Sequence, residues 1–185
     1  MKDFLAMVGS IVLGIGAVMG LMAILLMGSG VSFMPSTESQ PASDSKQPAK
    51  SKYEVGPPDA QEMLELVNAE RKKVGVKPLT IDKNVQKSAQ LKADDFAERD
   101  YYSHIVKGTK YTLTPEMAEY VNKSCSSSGE NINGDNTSSQ QAFDTWMDSK
   151  PHREAILDGK YTLTGFGVSL EDTDYFTVQR FCVAK

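Results

Sequence analysis

Hydrophobic and polar residues follow three different patterns along the chain. Residues 4–27 form an apolar run without a charged residue, and as a helix rising about 1.5 Å per residue this run would span a bilayer core of roughly 30 Å. Residues 31–57 are mostly small, polar or proline, a composition that cannot bury enough surface to fold. Residues 58–185 combine helical and strand spacing. The pattern predicts an N-terminal membrane segment over residues 1–30, a linker over 31–57 and one folded domain over 58–185.

The membrane segment allows two interpretations, an uncleaved anchor and a signal peptide. Its apolar run is longer than the roughly 7–15 residues of a signal peptide, and Lys2 is offset by Asp3, so both features favour the anchor. Gly28, Ser29 and Gly30 are small enough to suit a signal peptidase. We expect a single-pass protein that contacts the membrane through an N-terminal transmembrane helix and holds its C-terminal domain outside the cell. If the segment is cleaved, the protein is secreted.

Capping residues and prolines mark helices through most of the domain. The first helix follows Asp59 and ends at Gly75, and the second follows Asp82 and ends near Arg99. In both helices apolar side chains recur every three or four residues, so one face is available for burial. Three later helix starts are indicated by Thr114, Ser139 and Pro151.

Strand patterns are clearest near the end of the chain. Phe166, Val168 and Leu170 alternate with small residues, and after the polar turn at residues 171–174 the run over residues 175–183 is rich in aromatic and β-branched side chains. This pattern predicts a β-hairpin. Helices that precede and surround a small antiparallel sheet indicate an α+β domain, a three-layer α-β-α sandwich preceded by the N-terminal transmembrane helix and the linker.

The charge of the domain argues against nucleic acid as a partner. The chain has 20 Lys or Arg and 24 Asp or Glu, and the first 57 residues hold equal numbers of each, so the domain carries the whole net charge of −4. The densest basic run, Arg71 to Lys73, falls at the end of a predicted helix, where cations suit the helix dipole. We therefore expect no nucleic-acid partner.

The two cysteines, Cys125 and Cys182, both lie in the domain. A pair of cysteines beyond a membrane segment favours one disulfide and an oxidising compartment. Closing a loop of this length would stabilise the domain by about 4 kcal/mol in the chain-entropy model. A catalytic thiol at Cys125 is the alternative interpretation, because a serine-rich segment and a histidine occur elsewhere in the domain.

Histidine is rare in the chain, which has only His104 and His152. Because Pro151 favours a helix start, His152 should lie in the first turn, where the positive end of the helix dipole keeps its imidazole neutral. His104 follows the second helix. Between the two histidines, Gly129 predicts a turn, and alternation after it would direct Glu130 to one face of a short strand and Asn131 to the other.

An ordered series of short segments gives the chain a family resemblance. The segments are LVNAER at 66–71, PL at 78–79, SH at 103–104, GENI at 129–132, WMDS at 146–149, HR at 152–153, IL at 156–157 and GFGV at 165–168. With these segments in this order, the chain resembles the CAP superfamily, the domain shared by cysteine-rich secretory, antigen-five and pathogenesis-related proteins and also called the SCP domain, and it looks like a bacterial-type member. The resemblance covers essentially all of residues 59–185.

The resemblance implies an α-β-α sandwich with a surface cleft in which two histidines and acidic residues meet. His104, Glu130 and His152 fall on three of the four cleft positions of the family. At the fourth position, where many animal members have glutamate, this chain has Ser149. Asn131 and Ser149 are further candidates for contact with a ligand. The three matching residues are ligand types for zinc or a similar divalent cation, so His104, Glu130 and His152 form a candidate metal site. The alternative interpretation is structural, with the three side chains only hydrogen-bonding to hold the sandwich together.

Two functions fit these residues. The favoured one is a cell-surface or secreted binding module whose His/Glu cleft recognises a small molecule, glycan, lipid or protein, with a divalent cation as a candidate cofactor. The alternative is a metal-dependent hydrolase that acts on peptide or cell-envelope substrates. The helical His-Glu-x-x-His motif of zinc peptidases is absent, and no serine is clearly held against a histidine. We therefore expect no catalytic residue.

Overall fold

The computed structural model describes residues 55–185 apart from the side chains of residues 171 and 174. In this part of the chain it contains five helices and four strands. The starts of the helices agree with the capping signals, with Asp59, Asp82, Thr114 and Ser138 as N-caps. The elements are α1 Ala60–Lys73, β1 Thr80–Ile81, α2 Lys83–Arg99, α3 Pro115–Ser124, β2 Cys125–Asn136, α4 Ser139–Asp148, α5 Lys150–Leu157, β3 Leu163–Glu171 and β4 Asp174–Ala184.

The strands form one mixed sheet with the order β1-β3-β4-β2. The expected hairpin of β3 and β4 is present, and β2 is also antiparallel to β4. The sequence predicted an antiparallel sheet, and this prediction is wrong for one pair of strands. β1 pairs with β3 in parallel, Thr80 with Leu163 and Ile81 with Thr164. A strand of two residues is too short to show an alternating pattern, so the sequence did not reveal it.

Strand β2 differs most from the sequence prediction. The sequence predicted a turn at Gly129 and a short strand only after it, but Gly129 and the serine-rich segment before it both lie inside this strand of 12 residues. Because β2 is at the edge of the sheet, several of its side chains are exposed and polar, and its first half lacks an apolar face. The predicted alternation does hold further on, since Ile132 packs with α2 while Asn131 contacts α5.

Helices cover both faces of the sheet, as expected for an α-β-α sandwich. On one face α1, α4 and α5 enclose a core that includes Trp146 and Phe181, and on the other α2 packs over Ile132, Phe176 and Val178. Trp146 is fully buried and its indole N–H donates to the carbonyl of Ile132 at 3.2 Å. The central layer is therefore anchored from both sides.

The buried side chain of Arg71 ties the end of α1 to the segment that follows α5. Its guanidinium donates to the carbonyl oxygens of Lys77, Ile156, Asp158 and Tyr161 at 2.8, 2.6, 3.1 and 3.0 Å. The sequence analysis explained this arginine only by the helix dipole and did not foresee its burial, whereas it is 0% exposed. Four carbonyl acceptors compensate for the loss of water around the cation.

Helix α2 lies unusually close to β3. A Cβ added at Gly165 would lie 2.2 Å from the backbone nitrogen of Gln86, and one added at Gly167 would lie 2.2 Å from the carbonyl oxygen of Ala89. The side-chain amides of Gln86 and Gln90 bond to the main chain of β3, each as donor and acceptor. Past the end of the short β1, these amides make the hydrogen bonds to the main chain of β3 that a neighbouring strand would otherwise make.

The predicted disulfide between Cys125 and Cys182 is present. It joins the beginning of β2 to β4 across a sequence separation of 57 residues, next to Val85 and Val121 in the core under α2 and α3. Because the sulfur of Cys125 is bonded, the alternative of a catalytic thiol is wrong for this oxidised form.

Residues 1–54, with the predicted anchor and nearly all of the linker, lie outside the described residues. Within residues 55–185, none of the helices has both the length and the apolar character needed to cross a membrane.

We predict that Gly167→Ala lowers the free energy of unfolding by about 1–3 kcal/mol, because the added methyl group must push α2 away from β3. Urea denaturation measures the change. Gly159→Ala is the matched control, since its added Cβ would only touch Val76 at 4.0 Å. Equal stabilities of the two variants would contradict the close approach of helix and strand.

Candidate functional site

The segment after α2 brings His104 to Glu130 of β2. The Nδ1–H of His104 donates to Glu130 Oε1 at 2.9 Å. The imidazole side chain is 49% exposed, whereas the carboxylate is 9% exposed. A bond from Nδ1 to a carboxylate fixes the orientation of the ring and leaves Nε2 as the nitrogen that can accept a hydrogen bond or bind a metal.

Glu130 is also paired with Arg180, its direct neighbour across the sheet on β4. Arg180 Nη2 donates to Glu130 Oε2 at 2.6 Å, and the two side chains are 3% and 9% exposed. Burial lowers the pKa of Arg180, and the charge and hydrogen bond of Glu130 oppose this shift. Arg180, Glu130 and His104 therefore form a continuous row from the protein interior to its surface.

Residues 101–106, which follow α2 and contain His104, are called the His104 segment. Lys92 of α2 lies beneath this segment and is 0% exposed. Its Nζ donates to the carbonyl of His104 at 3.2 Å and to the hydroxyl of Tyr101 at 3.3 Å, and it lies 4.7 Å from the centre of the Phe96 ring. Burial lowers the pKa of Lys92, while the charge of Glu130 acts in the opposite direction. The site thus contains two buried cations near one carboxylate.

His152 lies in the first turn of α5, as predicted. Burial lowers its pKa, and the nearby charge of a protonated His104 lowers it further. The two imidazoles are therefore within electrostatic reach of one another. The expected neutral ring agrees with this direction, although burial, not the helix dipole, is the largest cause. Asn131 Nδ2 donates to the carbonyl of His152 at 3.1 Å and so links β2 to α5.

Ser149 lies between α4 and α5. Its backbone N–H donates to the carbonyl of Trp146, and its own carbonyl accepts from the N–H of Arg153 at 2.9 Å. The hydroxyl makes no capping hydrogen bond to α5. Its predicted contact with a ligand stays a prediction.

Each carboxylate oxygen of Glu130 already accepts one hydrogen bond, Oε1 from His104 and Oε2 from Arg180, and the predicted role of Glu130 as a metal ligand stays a prediction. Among the described side chains, those of residues 55–185 other than 171 and 174, no group of three or more His, Cys, Asp or Glu residues is arranged to hold a metal ion. The predicted metal site of His104, Glu130 and His152 therefore stays a prediction. The Nδ1 of His152 is buried without a hydrogen-bond partner in the described residues.

A cavity of about 330 Å³ lies next to the His104 segment. Tyr102, two residues before His104, is 52% exposed, and its ring stacks on Phe176 at a centroid distance of 6.2 Å. Burial raises the pKa of Tyr102, and the charges of Asp135 and Glu130 add to the effect. The surface near Glu130 is thus aromatic and acidic.

Sequence reasoning missed Arg180 and Lys92. Lys92 was detectable, since it follows Val85 by seven residues and Ala89 by three and so falls on the apolar face of α2. A lysine at such a position needs an internal partner. Arg180 had no comparable signal, because its role depends on the register of two strands that are distant in sequence.

Comparison with known proteins gives one family for the domain. The model of the CAP family, described as the cysteine-rich secretory protein family, matches residues 64–183. The Bacillus subtilis (strain 168) protein YkwD, described as uncharacterized, is 35% identical over 107 residues, which are 58% of this chain and 41% of YkwD. The chain therefore spans less than half the length of this relative.

Two solved bacterial structures share the fold. An extracellular protein containing a SCP domain from Bacillus anthracis str. Ames has a TM-score of 0.55 at 23% identity, with 66% of this chain and 39% of that chain covered. An outer surface protein from Borrelia burgdorferi has a TM-score of 0.58 at 21% identity, with 71% of this chain and 100% of that chain covered. At these identities the likeness concerns the fold alone.

We predict that Arg180→Met costs about 3–5 kcal/mol of stability, because it leaves the Glu130 carboxylate buried without its guanidinium. The double variant Arg180→Met/Glu130→Gln removes that charge and should recover part of the loss. Urea denaturation of both variants gives the comparison. A double variant less stable than the single one would contradict the pairing. Lys123→Met, at an exposed pair with Glu119, is the control and should change stability little.

Proposed function

The chain belongs to the CAP family of cysteine-rich secretory proteins, and we propose that it acts outside the cytoplasm as a binding module whose ligand contacts the cleft of His104, Glu130 and His152. The observation that carries this proposal is the row from Arg180 through Glu130 to His104. Its inner end is buried and its outer end is a half-exposed imidazole. A ring held in this way can meet a ligand without first losing much conformational freedom.

The pairing of Glu130 favours binding over hydrolysis. A general base must accept a proton, and protonation of Glu130 would leave Arg180, 2% exposed, without its counter-charge. Uncompensated burial of such a cation costs several kcal/mol. The carboxylate is therefore suited to orienting His104 and poorly suited to activating water.

A divalent cation is a further part of the proposal. The imidazoles of His104 and His152 would hold it, and Glu130 would fix the ring orientation of His104 through Nδ1. A bound zinc ion would supply open coordination positions to oxygen or nitrogen atoms of the ligand. The low pKa of His152 supports this role, because a neutral imidazole is the form that binds metals.

A location outside the cytoplasm is supported by the disulfide and by the apolar run at residues 4–27. The names of the two structural neighbours describe an extracellular protein and an outer surface protein. We propose that an uncleaved anchor holds the domain at the cell surface, with secretion as the outcome if the segment is cleaved.

Protease added to intact cells should remove the domain, because the anchor places it outside the membrane. Immunoblotting against residues 58–185 follows its loss. Protection of the domain until the cells are lysed would contradict this topology. A mature protein whose sequence begins near Val31 would establish cleavage instead.

Co-sedimentation with detergent-washed cell envelopes of Bacillus subtilis tests the binding function. We expect the full chain to co-sediment and His104→Ala to weaken binding about tenfold, the factor that corresponds to one lost hydrogen bond of about 1.4 kcal/mol. Lys72→Ala, at an exposed position of α1, is the control and should bind like the wild type. Equal binding by His104→Ala and the wild type would overturn the assignment of the cleft.

The same assay separates the other outcomes. If envelope binding is lost in EDTA and restored by zinc, the result supports a divalent cation in the cleft. If envelope binding is unchanged in EDTA, the cation is removed from the proposal. Soluble fragments released by the wild type but not by folded Glu130→Gln would replace the binding function with the hydrolase.

A further inference from the structure

Lys92 is a buried cation without a direct counter-ion. It is 0% exposed, and none of the described carboxylates, which exclude those of residues 171 and 174, forms an ion pair with its ammonium group. Its hydrogen bonds go to a carbonyl and a hydroxyl, and the rings of Phe96 and Tyr101 lie 4.7 and 5.2 Å from Nζ. The charges of Glu130 and Asp95 reach it from a greater distance.

This environment means that the buried ammonium group of Lys92 lowers the stability of the fold. Moving an ammonium group out of water without an ion pair carries a large desolvation penalty, which the two hydrogen bonds and two rings only partly offset. A methionine has a similar length and would pack against the same rings at no such penalty. Stability alone therefore does not account for a lysine at this position.

The contact with His104 gives the lysine a specific effect. Residues 101–106 belong to no helix or strand, so no regular hydrogen-bond pattern holds this segment in place. In the described part of the chain, the carbonyl of His104 accepts its hydrogen bond from Lys92 Nζ. The imidazole of the same residue donates to Glu130. One residue is thus held at its main chain by α2 and at its side chain by β2.

We propose that Lys92 is a positioning residue of the cleft: its ammonium group fixes the main chain at His104 so that the imidazole reaches Glu130 and keeps Nε2 available to a ligand. Its importance for recognition rests on the proposed function. The geometric effect on His104 does not, because it exists in the protein without a ligand and can be measured there.

The test is NMR spectroscopy of the full chain labelled with ¹⁵N-histidine and treated with EDTA. The chain has only two histidines, so His104→Gln assigns both ring systems. In the wild type we expect a protected Nδ1–H for His104. In Lys92→Met we expect this proton to exchange with water about tenfold faster, the factor for one lost hydrogen bond of about 1.4 kcal/mol. The ring signals of His152 should shift little, and the thermal midpoint should stay the same or rise.

Two further variants make the result specific. Lys87→Met replaces an exposed lysine on the same helix and should leave the ring signals of His104 unchanged. Lys92→Arg keeps a cationic donor and should restore most of the protection of Nδ1–H. Unchanged His104 signals in folded Lys92→Met would overturn the proposal. A Lys92→Met chain that does not fold would also overturn it, because the lysine would then be required for the fold itself. Loss of envelope binding does not enter this test, so the positioning role and the binding function can fail separately.

Discussion

The antiparallel register of β2 against β4 is the constraint on which the site depends. It places Glu130 directly opposite Arg180 and turns both side chains toward the α2 face of the sheet. A shift of one residue would send Glu130 to the other face, because side chains alternate along a strand. The disulfide at Cys125 and Cys182 fixes the same two strands at one end of their pairing. Covalent and ionic links thus hold one register.

Local sequence signals predicted most of the helices and the disulfide. The caps Asp59, Asp82 and Thr114 act on their own helices, and so does the proline at the start of α5. The disulfide could be predicted because the domain has two cysteines and because the membrane segment indicates an oxidising compartment. These features depend on neighbours in sequence or on bulk chemistry, and for that reason they can be derived without the fold.

The remaining features depend on distant parts of the chain. The parallel pairing of β1 is invisible in a segment of two residues. The first half of β2 shows no strand pattern, because an edge strand tolerates polar side chains on both faces, and only the stretch after Gly129 was predicted as a strand. The approach of His104 to Glu130 was predicted only through the family resemblance. The role of Arg180 arises from strand register, which no local pattern encodes. Helical spacing places Lys92 on the apolar face of α2, but its contact with His104 depends on how the segment after α2 folds back.

The guanidinium of Arg71 has a consequence for the order of events during synthesis. Three of its acceptors, the carbonyls of Ile156, Asp158 and Tyr161, follow it by 85, 87 and 90 residues. A ribosome adds those residues only after it has made most of the domain, so α1 cannot reach its final surroundings on the nascent chain before then. Until synthesis has reached the residues just before the hairpin of β3 and β4, the polypeptide lacks the hydrogen bonds of Arg71 that fix its first helix to the rest of the domain.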